Sequence, residues 1–155
     1  MNVQFMKRAI QLSAENIRNG TGGPFGAVIV KDGQILGEGG NQVTSTNDPT
    51  AHAEVVAIRK ACQKIANFDL SGAEIYTSCE PCPMCLAAIY WARIAKIYYA
   101  NGRADAAAID FDDDFLYNEI PKALKDRLIP MTQCCHGEAL EVFKEWQEKA
   151  DKITY

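Results

Sequence analysis

Asp48-Pro49-Thr50-Ala51-His52-Ala53-Glu54 and Glu80-Pro81-Cys82-Pro83-Met84-Cys85 flank a short apolar run, Ala73 to Thr77. Each flank reads as chain turning into a helix. The first helix is expected from about Ala51 to Ile65. The second runs from Pro83 to Ala92, with proline at the first helical position, where its missing N–H costs nothing. The apolar run between them is a strand, and Lys96 to Ala100 is the next. Working outward, Val3 to Arg18 places Phe5, Met6, Ala9, Ile10, Ser13 and Ile17 on one helical face, and Asn19-Gly20 ends that helix. Phe25 to Val30 is a buried strand. Asp32-Gly33 is a strong hairpin signal, and Gln34 to Glu38 returns. Gly39-Gly40-Asn41 begins a loop. Residues 101–113 form a second loop. A short helix near Phe115 to Ile120, a fifth strand near Leu128 to Thr132 and a helix from Glu138 to Lys149 complete the chain. Strand–helix alternation after a hairpin implies an α/β domain, a mixed sheet with helices on both faces.

The 155 residues are read as one domain, 1–155, long enough to bury a real core. Apolar residues make up 48% and charged residues 23%, as in a soluble globular protein. The net charge is −4, without a basic run, which gives little to attract nucleic acid. No stretch is long and apolar enough for a membrane, and the N-terminus carries no signal peptide, so a cytoplasmic location is expected. The six cysteines are Cys62, Cys79, Cys82, Cys85, Cys134 and Cys135. Without export, Cys-x-x-Cys reads as a metal or redox element rather than as disulfides.

The two flanks together offer one imidazole, two thiols and one carboxylate. His52, Cys82 and Cys85 can hold Zn²⁺ and leave a fourth position for water. His52 and Glu54 would point roughly 200° apart inside a helix. At a first turn, side chains lean toward the N-terminus and can converge beyond its end. Cys82 and Cys85, three apart, share a face. Two helix N-termini aimed at one ion favour thiolate over thiol. Thiolates make zinc a weaker acid, so a nearby base is useful, and Glu54 fits that role.

H-x-E followed by P-C-x-x-C is the established signature of zinc nucleobase deaminases. These residues resemble the cytidine-deaminase superfamily, which implies a three-layer α/β/α sandwich around a mixed five-stranded sheet. Further stretches are similar to the small bacterial guanine deaminases: Gly22 to Val30, Asn47 to Glu54, Tyr76 to Cys85, Ile89 to Arg93, Phe111-Asp112-Asp113 and the terminal Tyr155. The likeness covers nearly the whole chain. It implies hydrolysis of guanine, a small purine, to xanthine and ammonia. It also implies that Asn41 binds the purine edge, that Phe25 packs on the ring, and that Asp113 assists protonation of the leaving amine. Trp91 and Tyr155 join the substrate-binding set. A homodimer is implied as well, with the C-terminal segment, about 120–155, exchanged.

Plainer readings stand beside these. The zinc could be structural, closed by Cys79 as fourth ligand. Cys79-x-x-Cys82-x-x-Cys85 also resembles the start of an iron–sulfur pattern. Glu54 could merely complement a helix dipole, and Asn41 could only shape a turn. Phe25 and Trp91 are by default core aromatics, Cys62 a buried helix residue, and Cys134-Cys135-His136 an incidental cluster. At the level of function, a tRNA-editing adenosine deaminase, a deaminase of another free base and a non-catalytic zinc-stabilised module are the alternatives. The last helix carries Glu138, Glu141, Glu145, Glu148 and Asp151 against Lys144, Lys149 and Lys152, an acidic end that would repel RNA.

Overall fold

A computed structural model describes residues 1–154. The chain divides into two compact units, Met1–Asp113 and Asp114–Tyr155. In the first, helix α1 (Val3–Arg18) precedes the hairpin of strands β1 (Gly26–Lys31) and β2 (Gln34–Gly40). A single helical turn, α2 (Val43–Thr46), leads to α3 (Ala53–Ile65), β3 (Glu74–Cys79), α4 (Pro83–Trp91), β4 (Lys96–Asn101) and the short α5 (Arg103–Ala107). The sheet order is β2-β1-β3-β4. β1 pairs antiparallel with β2 and β3, whereas β3 and β4 are parallel, so the sheet is mixed.

The hairpin forms as its turn dictates. Asp32 and Gly33 both have positive φ, the backbone a two-residue turn of this kind requires. Alternation along the strands then sorts side chains to two faces. Val28, Val30 and Tyr76 meet Ala9, Phe5, Met6 and Leu12 of α1. Ala27, Ile29 and Ile75 meet Ala53, Ala57 and Ala61 of α3 and Ile89 of α4. The contacting stripe on α1 is therefore narrower than the expected face. Ile10 and Ile17 lie one residue beyond it, roughly 100° around the helix, and are exposed.

Helix α3 lies very close to β2. A Cβ added at Gly39 would stand 2.2 Å from the Ala53 carbonyl oxygen, and one at Gly37 2.4 Å from that of Ala57. The helix residues met there are Ala53, Val56, Ala57 and Ala61, mostly alanine. This close seat fixes where α3 begins, and hence where His52 and Glu54 stand.

The second unit holds α6 (Asp114–Glu119), a 3₁₀ turn (Leu124–Asp126) and α7 (His136–Glu148). The expected fifth strand at Leu128 to Thr132 does not form, and the sheet of the described residues has four strands. Pro130 removes a ladder donor from the middle of that run. The Leu128 N–H donates to the Glu119 carboxylate instead. Elsewhere, α2 and α5 occupy stretches expected to be loop, and β2 and β3 each run two residues past their expected ends.

The close seat of α3 is open to measurement. Gly39→Ala should lower unfolding free energy by about 1–3 kcal/mol through overpacking, read as a lower denaturant midpoint at unchanged m-value. An unmoved midpoint would mean that the alanine stripe is not tightly seated.

Candidate metal centre and active site

His52 is the N-cap of α3 and Cys82 the N-cap of α4, both with extended backbone. Pro83 opens α4, and Cys85 follows in its first turn, buried. Neither N-cap residue makes a side-chain cap hydrogen bond, and the groups at the two positive ends are Glu54, in the first turn of α3, and the Cys82 sulfur, at the start of α4. The ligand atoms of His52, Cys82 and Cys85 lie within 4.8 Å of one another. His52 Nδ1 is 3.6 Å from Cys82 Sγ and 3.5 Å from Cys85 Sγ. Bond lengths of about 2.3 Å to sulfur and 2.0–2.1 Å to nitrogen put such atoms roughly 3.6 Å apart around a tetrahedral zinc ion. The donor set therefore fits zinc in both chemistry and spacing.

The electrostatics agree. The Cys82 thiol is pulled down to about 4, mainly by its hydrogen bond with Cys85 and further by His52, against the opposing effect of burial. Cys85 moves the other way, held protonated by the neighbouring thiolate and by burial. The pair thus shares one proton. His52 is raised, chiefly through its contact with Cys82. Such a cluster holds anionic charge poorly by itself and is well matched to a divalent cation.

Glu54 is the second residue of α3 and is buried. Its Oε1 is 3.3 Å from the Thr77 hydroxyl, and its Oε2 is 3.4 Å from Cys85 Sγ. Burial pushes its carboxyl upward. Thr77 also reaches the Cys79 carbonyl at 2.9 Å, and its single O–H serves one acceptor at a time. Sequence reasoning missed Thr77. The available signal was a pair of hydroxyl residues, Thr77-Ser78, inside a buried strand, where each needs a partner. Cys79 is outside the ligand group. Its Sγ faces the Gly102 carbonyl at 3.8 Å, and burial raises its thiol to about 11. The set among the described residues therefore has three members, not four.

Asn41 is buried. Its Oδ1 accepts from the backbone N–H groups of Gly23 (3.4 Å) and Val43 (3.2 Å). Two such donors fix the amide's orientation and make the NH₂ the group it can offer a ligand. Phe25 is half-buried and meets Phe111 edge-on, with centroids 4.9 Å apart. The Asp113 carboxyl is raised by burial and then by the charge of Cys82. Trp91 stands apart. It ends α4, opposite the cysteines, and is 67% exposed, so the core-aromatic reading fails for it. α4 is apolar all round, and periodicity could not show which side would be buried. Cys62 is only half-buried. Cys134, Cys135 and His136 are exposed and form no metal-ligating group. Tyr155 lies outside the described residues.

The pattern of the cytidine and deoxycytidylate deaminase zinc-binding region matches residues 1–101. The chain belongs to this deaminase family. It is 54% identical over 151 residues to the guanine deaminase of Bacillus subtilis, covering 97% of each chain. The X-ray structure of guanine deaminase from Bacillus subtilis superposes with a TM-score of 0.96 at 54% identity, covering 100% of this chain and 99% of the other. The tRNA-specific adenosine deaminase of Agrobacterium fabrum is 44% identical over 87 residues, 56% of this chain and 57% of its own. The fold is thus the α/β fold of cytidine deaminases, with zinc as cofactor, and the protein is a zinc-dependent hydrolytic deaminase.

In this deaminase, His52→Ala, Cys82→Ser and Cys85→Ser should each give strongly sub-stoichiometric zinc after dialysis, by elemental analysis. Cys79→Ser should retain full zinc. Loss of the metal in Cys79→Ser would place a fourth sulfur on the ion.

Proposed function

We propose that this deaminase hydrolyses guanine to xanthine and ammonia. The observation that supports it is a three-donor group with Glu54 held beside it and Cys79 turned away. Similarity to a guanine deaminase over nearly the whole length selects the base. The tRNA-editing reading rests on a likeness over about half the chain. It also lacks a basic surface on α7, whose acidic residues outnumber its lysines.

His52, Cys82 and Cys85 would hold the zinc. When bound, it supplies Lewis-acid charge that acidifies water and stabilises developing negative charge. Glu54 accepts the proton from the attacking water and returns it to the ring nitrogen beside C2. The water oxygen bonds to C2; the bond from C2 to the exocyclic nitrogen then breaks as the new C2 hydroxyl gives up its proton to become the carbonyl, and that proton passes through the carboxylates to the amine, which leaves as ammonia. Asp113 assists that last transfer, and its raised proton affinity suits a donor. The NH₂ of Asn41 would bind an acceptor on the purine edge, and Phe25, backed by Phe111, would pack on the ring. The Thr77 hydroxyl stands beside Glu54 Oε1 and can donate to it when turned from the Cys79 carbonyl. Tyr155 is kept as a substrate neighbour on resemblance alone. Trp91 fits the assembly better than the substrate.

We also propose that the chain, taken as one deaminase domain, is a homodimer in which segment 120–155 is exchanged. No residue of the second unit is buried among those described. Leu128, Ile129 and Phe143 are more than 70% exposed there, and Tyr90 and Trp91 are exposed in the first unit. Apolar exposure on this scale marks a protein contact. With α1 on one sheet face and α3 and α4 on the other, the layering is read as α/β/α. No helix among the described residues is long and apolar enough to cross a membrane.

Ammonia release from a panel of free bases, nucleosides and tRNA tests the substrate. Guanine should be the preferred substrate and yield xanthine. Release from tRNA alone would transfer the protein to the editing class. Glu54→Gln should keep zinc and melting temperature while losing about 10²–10⁴-fold in kcat; unchanged turnover would remove Glu54 from the chemistry. Sedimentation should give twice the chain mass, and a monomer would refute the exchange.

A further inference from the structure

Asn16 is a buried polar residue near the end of α1 that the chemistry above does not use. Its amide nitrogen carries two N–H groups, and both are engaged. One reaches the Gly23 carbonyl at 2.7 Å and the other the Asn41 carbonyl at 2.8 Å. Those two carbonyls belong to the segments bearing Phe25 and Asn41. The segments are also laced directly. The Asn41 N–H donates to the Phe25 carbonyl at 3.1 Å, and Asn41 Oδ1 accepts from the Gly23 N–H. The Phe25 N–H donates to the same Gly23 carbonyl that Asn16 holds, so both lone pairs of that oxygen are used. The packing leaves no slack. A Cβ at Gly22 would stand 2.3 Å from the Asn41 carbonyl oxygen, and one at Gly40 2.6 Å from Asn16 Oδ1.

We infer that Asn16 is a positioning residue for base recognition: one amide clamps the Phe25 and Asn41 segments into a single rigid reader of the purine. The inference rests on the reading of Asn41 and Phe25 as substrate contacts. Its physical content is preorganisation. A ring contact and an edge contact supplied by separate segments select a base only if their mutual placement is fixed before binding. Asn16 touches neither the metal ligands nor Glu54 in the bonds described, so its loss should weaken base binding more than it slows chemistry.

Two variants attack the clamp from different sides. Asn16→Asp is isosteric but sets a carboxylate against two carbonyl oxygens. Gly40→Ala leaves Asn16 in place and pushes its amide aside. Each should raise KM for guanine about tenfold or more, while kcat changes by less than about threefold. Zinc content and the melting transition report the fold. Asn41→Ala is the control for the underlying reading and should raise KM as well. The double variant Asn16→Asp/Asn41→Ala should raise KM by less than the product of the two single effects, since the Asn41 contact is common to both and only the Phe25 placement is left for Asn16 to spoil. Wild-type KM in Asn16→Asp and Gly40→Ala, with a raised KM in Asn41→Ala, overturns the positioning role and spares the reading beneath it. Wild-type KM in Asn41→Ala overturns that reading itself. Equal losses in kcat and KM terms, or failure of both clamp variants to fold, would make Asn16 a structural tie and overturn the proposal.

Discussion

The convergence of two helix N-termini on one set of donors is the constraint on which this structure depends. An N-terminus presents unsatisfied N–H groups and partial positive charge. Here α3 and α4 each have a metal-ligating residue, His52 and Cys82, at the N-cap. The sheet makes this possible. β3 lies between the two helices in sequence, and both pack on the same face through Ala53, Ala57, Ala61 and Ile89. Glycines in β2 let α3 approach until the strand backbone meets Ala53, Val56, Ala57 and Ala61. Moving either helix along its axis would separate nitrogen from sulfur and undo the fit to a tetrahedral ion.

A buried carboxylate beside two cysteines is costly unless it is held and used. Glu54 has the Thr77 hydroxyl within reach of one oxygen and Cys85 beside the other. Burial raises its proton affinity, which brings an ordinary glutamate closer to the range in which it can both take and give a proton. Cys79 in the same interior lies outside the donor group, and desolvation raises its thiol. Two sulfurs a few residues apart thus have opposite fates. The distinction comes from helix ends and hydrogen bonds, not from the cysteine spacing, which is identical between Cys79, Cys82 and Cys85.

What could be read in advance follows the physics. Asp32-Gly33 forces a hairpin because its backbone admits little else, and Pro83 can only open a helix. The position of His52 and Glu54 at a helix start followed from geometry, because mid-helix the pair would diverge. The apolar run around Pro130 was misread as a strand, because hydrophobicity outweighed the missing donor. The exposure of Trp91 was hidden by a helix that is apolar on every side. The partners of Asn16 and Thr77 were invisible for another reason. The hydroxyl pair Thr77-Ser78 in a buried strand signals a need for partners without naming them, and a single asparagine names none until tertiary structure brings it to the Gly23 and Asn41 carbonyls.

X-ray absorption at the zinc edge of the purified enzyme tests the central claim most directly, because it counts sulfurs on the ion. The account predicts two sulfur ligands at about 2.3 Å and two lighter ligands at about 2.0–2.2 Å, one from imidazole and one from solvent. A shell of three sulfurs and one nitrogen would describe a closed structural site and contradict it.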